Sequence, residues 1–238
     1  MNLILFLNDD LSKDGSLAEI SGLRAKHIIE VHKAEIGKEL TAGLLNGNIG
    51  KCKVNKIGTN YVNFELGNFN TPPPPALPLT LIISLPRPKT LKKVVHIASC
   101  MGVKKIYFIE SWKVDKSYWK SPVLNNNELT EQCILGLEQA KDTVLPEILF
   151  RRRFKPFAED ELNQIITGTT PLAAHPYKAL PCPERINSPV TLAVGPEGGF
   201  TDYEVKTFKE LGFSVITLGE RILRVEYAVC SLLSKIFK

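Results

Sequence analysis

The chain has 238 residues, 44% of them hydrophobic, which is ample for one large or two small buried cores. Its formal charge of +5 comes from 30 basic and 25 acidic side chains, an excess that suits either a phosphate backbone or a solvated mixed-charge face. No window approaches the roughly 18 consecutive apolar residues of a membrane span, and the five dispersed cysteines lack zinc-ligand spacing and a disulfide pattern, so buried free thiols and no metal are expected.

Met1–Leu7 runs straight into Asn8-Asp9-Asp10 with no basic leader region or cleavage site, so Leu3–Leu7 reads as a first strand of a cytoplasmic protein. Further β-type runs lie at Glu39–Leu45, Cys52–Ile57 and Tyr61–Leu66, punctuated by Asn46-Gly47-Asn48 and Gly58-Thr59-Asn60. A small β-barrel is expected. Residues 1–71 hold 8 basic and 8 acidic side chains. After residue 23, however, Arg24, Lys26, Lys33, Lys38, Lys51, Lys53 and Lys56 outnumber Glu30, Glu35 and Glu39, which makes this stretch a candidate phosphate-binding surface.

Thr71-Pro72-Pro73-Pro74-Pro75-Ala76-Leu77-Pro78 marks the boundary, because consecutive prolines neither donate to a sheet nor continue a helix and hold a stiff extended spacer. The division is 1–71, a β-barrel; 72–78, a Pro-rich linker; and 79–238, a second domain. In that domain strands are expected at Leu79–Ser84, Lys105–Glu110, Ile148–Arg151, Pro171–Ala174, Val190–Val194 and Ser214–Leu218. Helices are expected at Thr90–Met101, Glu128–Ala140, Glu159–Ile166, Asp202–Leu211 and Val225–Phe237. The alternation predicts an α/β domain with a mostly parallel sheet covered on both faces.

Gly195-Pro196-Glu197-Gly198-Gly199-Phe200 follows the apolar run Leu192-Ala193-Val194, and Leu218-Gly219-Glu220-Arg221-Ile222-Leu223-Arg224-Val225-Glu226 follows Val215-Ile216-Thr217. Each reads as a loop leaving the carboxyl end of a buried strand, where open α/β sheets place their ligand sites. Paired glycines let a ligand lie directly on the backbone and use its N–H and C=O groups. Thr201 and Glu204 form a capping-box signature for the helix that follows, and Gly212 supplies its left-handed exit. The spacing is neither that of a P-loop nor that of a dinucleotide-binding turn. Ala228, Val229, Leu232, Leu233 and Ile236 form an apolar stripe on the last helix, read as core or subunit surface.

These segments resemble the SPOUT superfamily of RNA methyltransferases, and within it the RsmE family, which methylates N3 of a uridine in small-subunit (16S) ribosomal RNA. Residues 195–200 match that family's GPEGGF loop in full, and 218–228 match its LG-x-RILR-x-ETA segment except that Tyr227 stands where Thr is usual. The resemblance implies a C-terminal SPOUT domain with a trefoil knot near the C-terminus, a feature that general topology rules would argue against. It also implies S-adenosylmethionine as cofactor and a homodimer with its cofactor sites beside the subunit interface. In the family a third loop completes the site, and Leu172-Ala173-Ala174-His175-Pro176 occupies that place. The cofactor contacts so implied are Leu172, His175, Val194, Gly195, Pro196, Glu197, Gly198, Gly199, Leu218, Gly219, Arg221, Ile222 and Leu223. Adenine would lie against backbone groups of 218–223, with apolar contact from Leu172, Ile222 and Leu223. Taken alone, His175 is more readily a loop histidine than a ligand contact.

Methylation at uridine N3 requires loss of an imide proton, and a nearby cation favours the resulting anion. Arg224 is the expected cation, with Glu226 either orienting it through a bidentate pair or acting as base; for Glu226 a carboxylate at a helix N-terminus is an equal alternative. Residues 1–71 are similar to the PUA-like barrel of the same family, whose H-x-x-x-VLR-x-x-x-G segment is matched here by His27, Val31 and Gly37, with His32-Lys33 replacing Leu-Arg. The expected RNA contacts are Arg24, Lys26, His27, Lys33 and Arg87, the last where the family usually has Lys. Cys100-Met101-Gly102-Val103 replaces E-L-G-V, and Asp142 stands in place of Arg in E-Q-x-x-R, reversing a charge. The expected partner is ribosomal RNA or the small ribosomal subunit, with no membrane. A catalytically inactive RNA-binding relative, favoured by Asp142, Cys100 and Tyr227, and a SPOUT methyltransferase acting on another RNA are the alternatives.

Overall fold

Residues 2–31 and 33–237 are described in the structure, a computed structural model, without the side chain of Asn126. His32, part of the departure from the barrel motif, lies outside the described residues. The chain divides into two units, Met1–Pro75 with Ile134–Leu145, and Ala76–Cys133 with Pro146–Lys238.

The first unit contains β1 (Ile4–Phe6), β2 (Leu17–Ser21), α1 (Gly22–Glu30), β3 (Glu39–Leu44), β4 (Ile49–Ile57) and β5 (Tyr61–Thr71). Its sheet runs β1-β3-β4-β5-β2, with β1 parallel to β3 and the other pairs antiparallel. The expected small barrel takes the form of a curled half-barrel whose edge strands are β1 and β2. Strand alternation places Ala18, Ile20, Val54, Val62 and Phe64 on one inner face, where Phe6 meets Phe64 edge-on with centroids 5.3 Å apart. Leu3 and Leu5 point the other way and pack with Ile134 and Leu137, which is why β1 is apolar at every position.

The sequence boundary places residues 134–145 in the second domain, whereas in the structure they pack with the first unit. Glu138 accepts the Leu5 N–H at 3.2 Å, Thr143 donates to the Gly47 carbonyl, and Asn46 accepts the Leu145 N–H at 2.9 Å. Burial pushes the Glu138 carboxyl up to about 7, opposed by the Leu5 N–H and by Arg24. Asp142 is only 2% exposed and accepts the N–H groups of Thr143 and Val144 at 2.7 and 3.0 Å. Its charge therefore closes a turn and does not reverse a surface patch, which corrects the expectation from sequence.

The second unit contains β6 (Leu79–Ser84), α2 (Pro88–Cys100), β7 (Lys105–Ile109), α3 (Asn126–Ala140, whose second half counts with the first unit), β8 (Glu147–Arg151), α4 (Phe154–Pro156), α5 (Leu162–Ile166), β9 (Thr170–Ala174), β10 (Leu180–Pro181), β11 (Val190–Val194), α6 (Asp202–Glu210), β12 (Ser214–Thr217) and α7 (Val225–Ile236). A π-helical turn, Phe157–Glu161, joins α4 to α5 where one regular helix was expected. The seven strands run β10-β12-β9-β11-β6-β7-β8, and every pair is parallel. Every residue of β11 is buried, as a strand covered on both faces requires. The chain first builds outward through β6, β7 and β8, then returns to the other side of β6, so the carboxyl ends of β11, β9 and β12 open together.

Cys52, Cys133 and Cys182 are buried thiols as expected, whereas Cys100 is half-buried and Cys230 is exposed on α7. Among the described residues, no helix is long and apolar enough to cross a membrane.

Candidate functional site

A cavity of about 480 Å³ opens at the carboxyl ends of β9, β11 and β12, a size that accepts a drug-sized ligand. Three loops wall it: Ala174–Tyr177 after β9, Val194–Asp202 after β11, and Leu218–Leu223 after β12. The capping box at the head of α6 sets the second loop, since Thr201 accepts the Glu204 N–H at 3.3 Å while Glu204 accepts the Thr201 N–H at 2.8 Å. Phe200, 3% exposed, drops into the core against Phe208 and anchors the loop from below. Gly199 has φ +69°, a left-handed backbone conformation that residues with a Cβ rarely adopt, although the space around it is open.

The third loop supplies donors. From Glu220 to Arg224 no backbone N–H has a hydrogen-bond partner among the described residues, while Ile222 and Leu223 expose apolar side chains. Such a strip matches a planar heteroaromatic ligand that needs both edge hydrogen bonds and apolar facing. His175 also lines the cavity, and its Nδ1 is buried with no hydrogen-bond partner among the described residues. Desolvation lowers the His175 pKa, with Lys113 and Lys209 adding to it and Asp202 opposing, so the ring is neutral at pH 7 and free to accept or donate one hydrogen bond. Among the described residues no cluster of His, Cys, Asp or Glu could hold a metal ion.

Of the thirteen cofactor contacts expected from the resemblance, twelve line this cavity: His175, Val194, Gly195, Pro196, Glu197, Gly198, Gly199, Leu218, Gly219, Arg221, Ile222 and Leu223. Leu172 does not. It sits within β9, 2% exposed between Leu192 and Ser214, and it is Ala174 at the strand's end that reaches the wall. Glu197 also ties its loop to α2, because its carboxylate accepts the Arg87 N–H at 3.1 Å.

Arg224 and Glu226 are not brought together. Arg224 is the exposed N-cap of α7, and its guanidinium has no ion-pair partner among the described residues. Glu226, 4% exposed, turns to Lys93 on α2 at 3.4 Å, so the expected bidentate pair is absent and the helix-N-terminal reading of this carboxylate is the one the geometry fits.

The expected RNA contacts of the first unit divide, Arg24 being engaged in structure while Lys26 and Lys33 are exposed. Arg24 holds Asp10 through two bonds of 2.9 and 2.8 Å and donates to the Leu5 carbonyl, an internal role in place of a phosphate contact. Lys26 is exposed beside Glu30 at 3.8 Å, and His27 is half-buried in the last turn of α1. Lys33 is exposed with φ +48°.

One residue of the site, Lys113, lies in a loop that the sequence did not single out. Lys113, after β7, donates from Nζ to the Gly198 carbonyl at 2.8 Å and lines the cavity. Its neighbour Trp112 is fixed by a 2.8 Å bond from its N–H to the buried Glu204 carboxylate. Nothing local marks this loop, because β6 lies between β7 and β11 and only the strand order brings it to the glycine turn.

Residues 73–237 match the family model described as RNA methyltransferase domain. The chain is 26% identical to the ribosomal RNA small subunit methyltransferase E of Treponema pallidum over 97% of this chain and 88% of that one. It is 28% identical to the ribosomal RNA small subunit methyltransferase E 1 of Borreliella burgdorferi over 96% and 94% of the two chains. Among solved structures, the ribosomal RNA small subunit methyltransferase E of Neisseria gonorrhoeae bound to S-adenosyl methionine superposes with a TM-score of 0.73 at 21% identity, covering 98% of this chain and 95% of that one.

Proposed function

The chain belongs to the RNA methyltransferase domain family, and from that premise we propose that it methylates N3 of a uridine in small-subunit (16S) ribosomal RNA with S-adenosylmethionine as donor. The observation that carries this reading is the three-loop cavity, whose unpaired N–H strip, exposed Ile222 and Leu223, and partnerless His175 Nδ1 fit a nucleoside-bearing ligand. The names of the Treponema and Borreliella relatives support the choice of RNA.

When bound, S-adenosylmethionine supplies a sulfonium methyl group open to in-line attack. The backbone of 218–223 would hold the adenine edge and the glycine turn would let the ligand approach without Cβ interference, while Lys113 steadies that turn through the Gly198 carbonyl. Removing a proton whose pKa lies about two to three units above 7 costs about 3 to 4 kcal/mol at neutral pH. Arg224, without an ion-pair partner among the described residues, stabilises the resulting anion on the uracil ring. Glu226, through Lys93, fixes the first turn of α7 and thereby the backbone from which Arg224 projects, which makes it a positioning residue.

The working form in this reading is a cytoplasmic homodimer acting on the RNA of the small subunit, with the segment after β12 threaded as a trefoil knot; unpaired cysteines agree with a reducing compartment. A calorimetric titration with S-adenosylmethionine tests the pocket without any choice of RNA. Saturable one-site binding, lost in Gly199→Val, is expected. No binding at millimolar ligand would remove the cofactor from the proposal.

A further inference from the structure

Ser111–Lys120 reads Ser-Trp-Lys-Val-Asp-Lys-Ser-Tyr-Trp-Lys, three aromatics interleaved with three lysines, and it leaves the carboxyl end of β7 on the side of the sheet that carries the cavity. Interleaving of this kind suits single-stranded nucleic acid, where bases stack on rings while cations meet phosphates. Trp112 is the notable member. The residue is 85% exposed, although Ser111 is 2% and Val114 7% exposed and its backbone N–H is held by the Glu204 carboxylate. Burying a ring of this size contributes about 2 to 3 kcal/mol to a core, so a rigid loop that presents it to water forgoes stability that the fold does not recover.

The surroundings are basic. Lys116 and Lys120 are exposed and have no ion-pair partner among the described residues, and Asp115, the acidic residue of the loop, is engaged by the Ser117 N–H at 2.8 Å. Arg152 lies over the Trp119 ring at 5.3 Å, adding a cation and stiffening the base of the loop. Lys113, next to Trp112, already touches the glycine turn, so a base stacked on Trp112 would lie beside the proposed methyl-transfer site.

We propose that Trp112 is a stacking platform for an unpaired base of the RNA substrate adjoining the target uridine, with Lys116 and Lys120 meeting the flanking phosphates. The proposal rests on the RNA methyltransferase reading of the same site. A protein–protein use of the ring would call for an apolar surround, and here the loop that carries it holds Lys113, Lys116 and Lys120.

The test is equilibrium binding of unmodified, in vitro transcribed small-subunit ribosomal RNA to full-length protein in saturating S-adenosylmethionine, comparing wild type, Trp112→Ala and Trp112→Phe. Loss of one stacked base predicts that Trp112→Ala weakens RNA binding by about 5- to 100-fold while Trp112→Phe recovers most of it. Cofactor affinity and solution mass should remain at wild-type values. Unchanged RNA affinity in Trp112→Ala would overturn the proposal, and a changed solution mass would assign the ring to a contact between copies instead. Wild-type protein that binds cofactor but no RNA would overturn the RNA reading itself along with the role of Trp112.

Discussion

The two units use their charged and glycine residues in opposite ways. In the second, residues from three separated loops converge on one cavity and leave hydrogen-bonding groups unspent: the N–H groups of 220–224, His175 Nδ1 and the Arg224 guanidinium. In the first, several groups of equal promise are engaged internally, although Lys33 and Lys53 remain exposed. Arg24 is bound to Asp10 and the Leu5 carbonyl, Lys26 sits beside Glu30, and Glu138 is buried on the Leu5 N–H. A ligand site is recognised by polar groups that the fold positions but does not satisfy, and a count of basic residues does not distinguish the two cases.

The sharpest break of this contrast comes at Arg224. If its free guanidinium stabilises the transferred-to anion, Arg224→Ala should lower single-turnover methyl transfer by about 100- to 1,000-fold while cofactor affinity changes little. Equal losses in both would place Arg224 in the cofactor pocket. Next in size is Gly199→Val, which forces a β-branched residue into φ +69° and should reduce cofactor affinity by about 100-fold, measured by calorimetry. Gly198→Ala should be far milder, because the added carbon meets only the flexible Lys113 chain, 3.1 Å from Cδ. A reversed order would show that the turn's conformation is not what the ligand needs.

For the first unit the expected effects are on stability. The Glu138 carboxyl is raised from 4.5 to about 7, so its favourable neutral form is fully present below the unfolded value and is lost as pH rises through about 7. The unfolding free energy from denaturant titrations should therefore fall between pH 5 and pH 8, by up to about 3 kcal/mol from this group, and Glu138→Gln should flatten that dependence. The smallest effect is expected from Arg24→Ala, a loss of about 1 to 2 kcal/mol in stability with RNA affinity unchanged at a temperature where the variant is folded. A drop in RNA affinity without a change in stability would return Arg24 to the RNA surface and weaken the contrast between the units.

Much of this was legible before the structure. The proline run, the Thr201–Glu204 capping box and the two glycine-bearing loops are local signals: each needs only residues within one turn of chain, and each is found where expected. What escaped depends on distant partners. Helix α1 begins at Gly22 with φ +66° and has no side-chain cap, so neither propensity nor capping announced it. Strand β2 alternates, but its inward residues are only Ala18 and Ile20. Helix α3 keeps one continuous pattern while its second half changes partner, and no residue within it signals the change. The Lys93 partner of Glu226 is hidden for the same reason, since it lies 133 residues earlier in the chain.

The central claim is that the cavity of the second unit transfers a methyl group to uridine N3. The most direct test is to incubate the protein with S-adenosylmethionine and unmodified small-subunit ribosomal RNA, free and assembled, then digest the RNA to nucleosides and identify the methylated product by mass spectrometry. Accumulation of N3-methyluridine with wild type, and its near absence with Arg224→Ala, is the predicted result. A methyl group on a ribose hydroxyl or on another base, or no product while S-adenosylmethionine is bound, would contradict it.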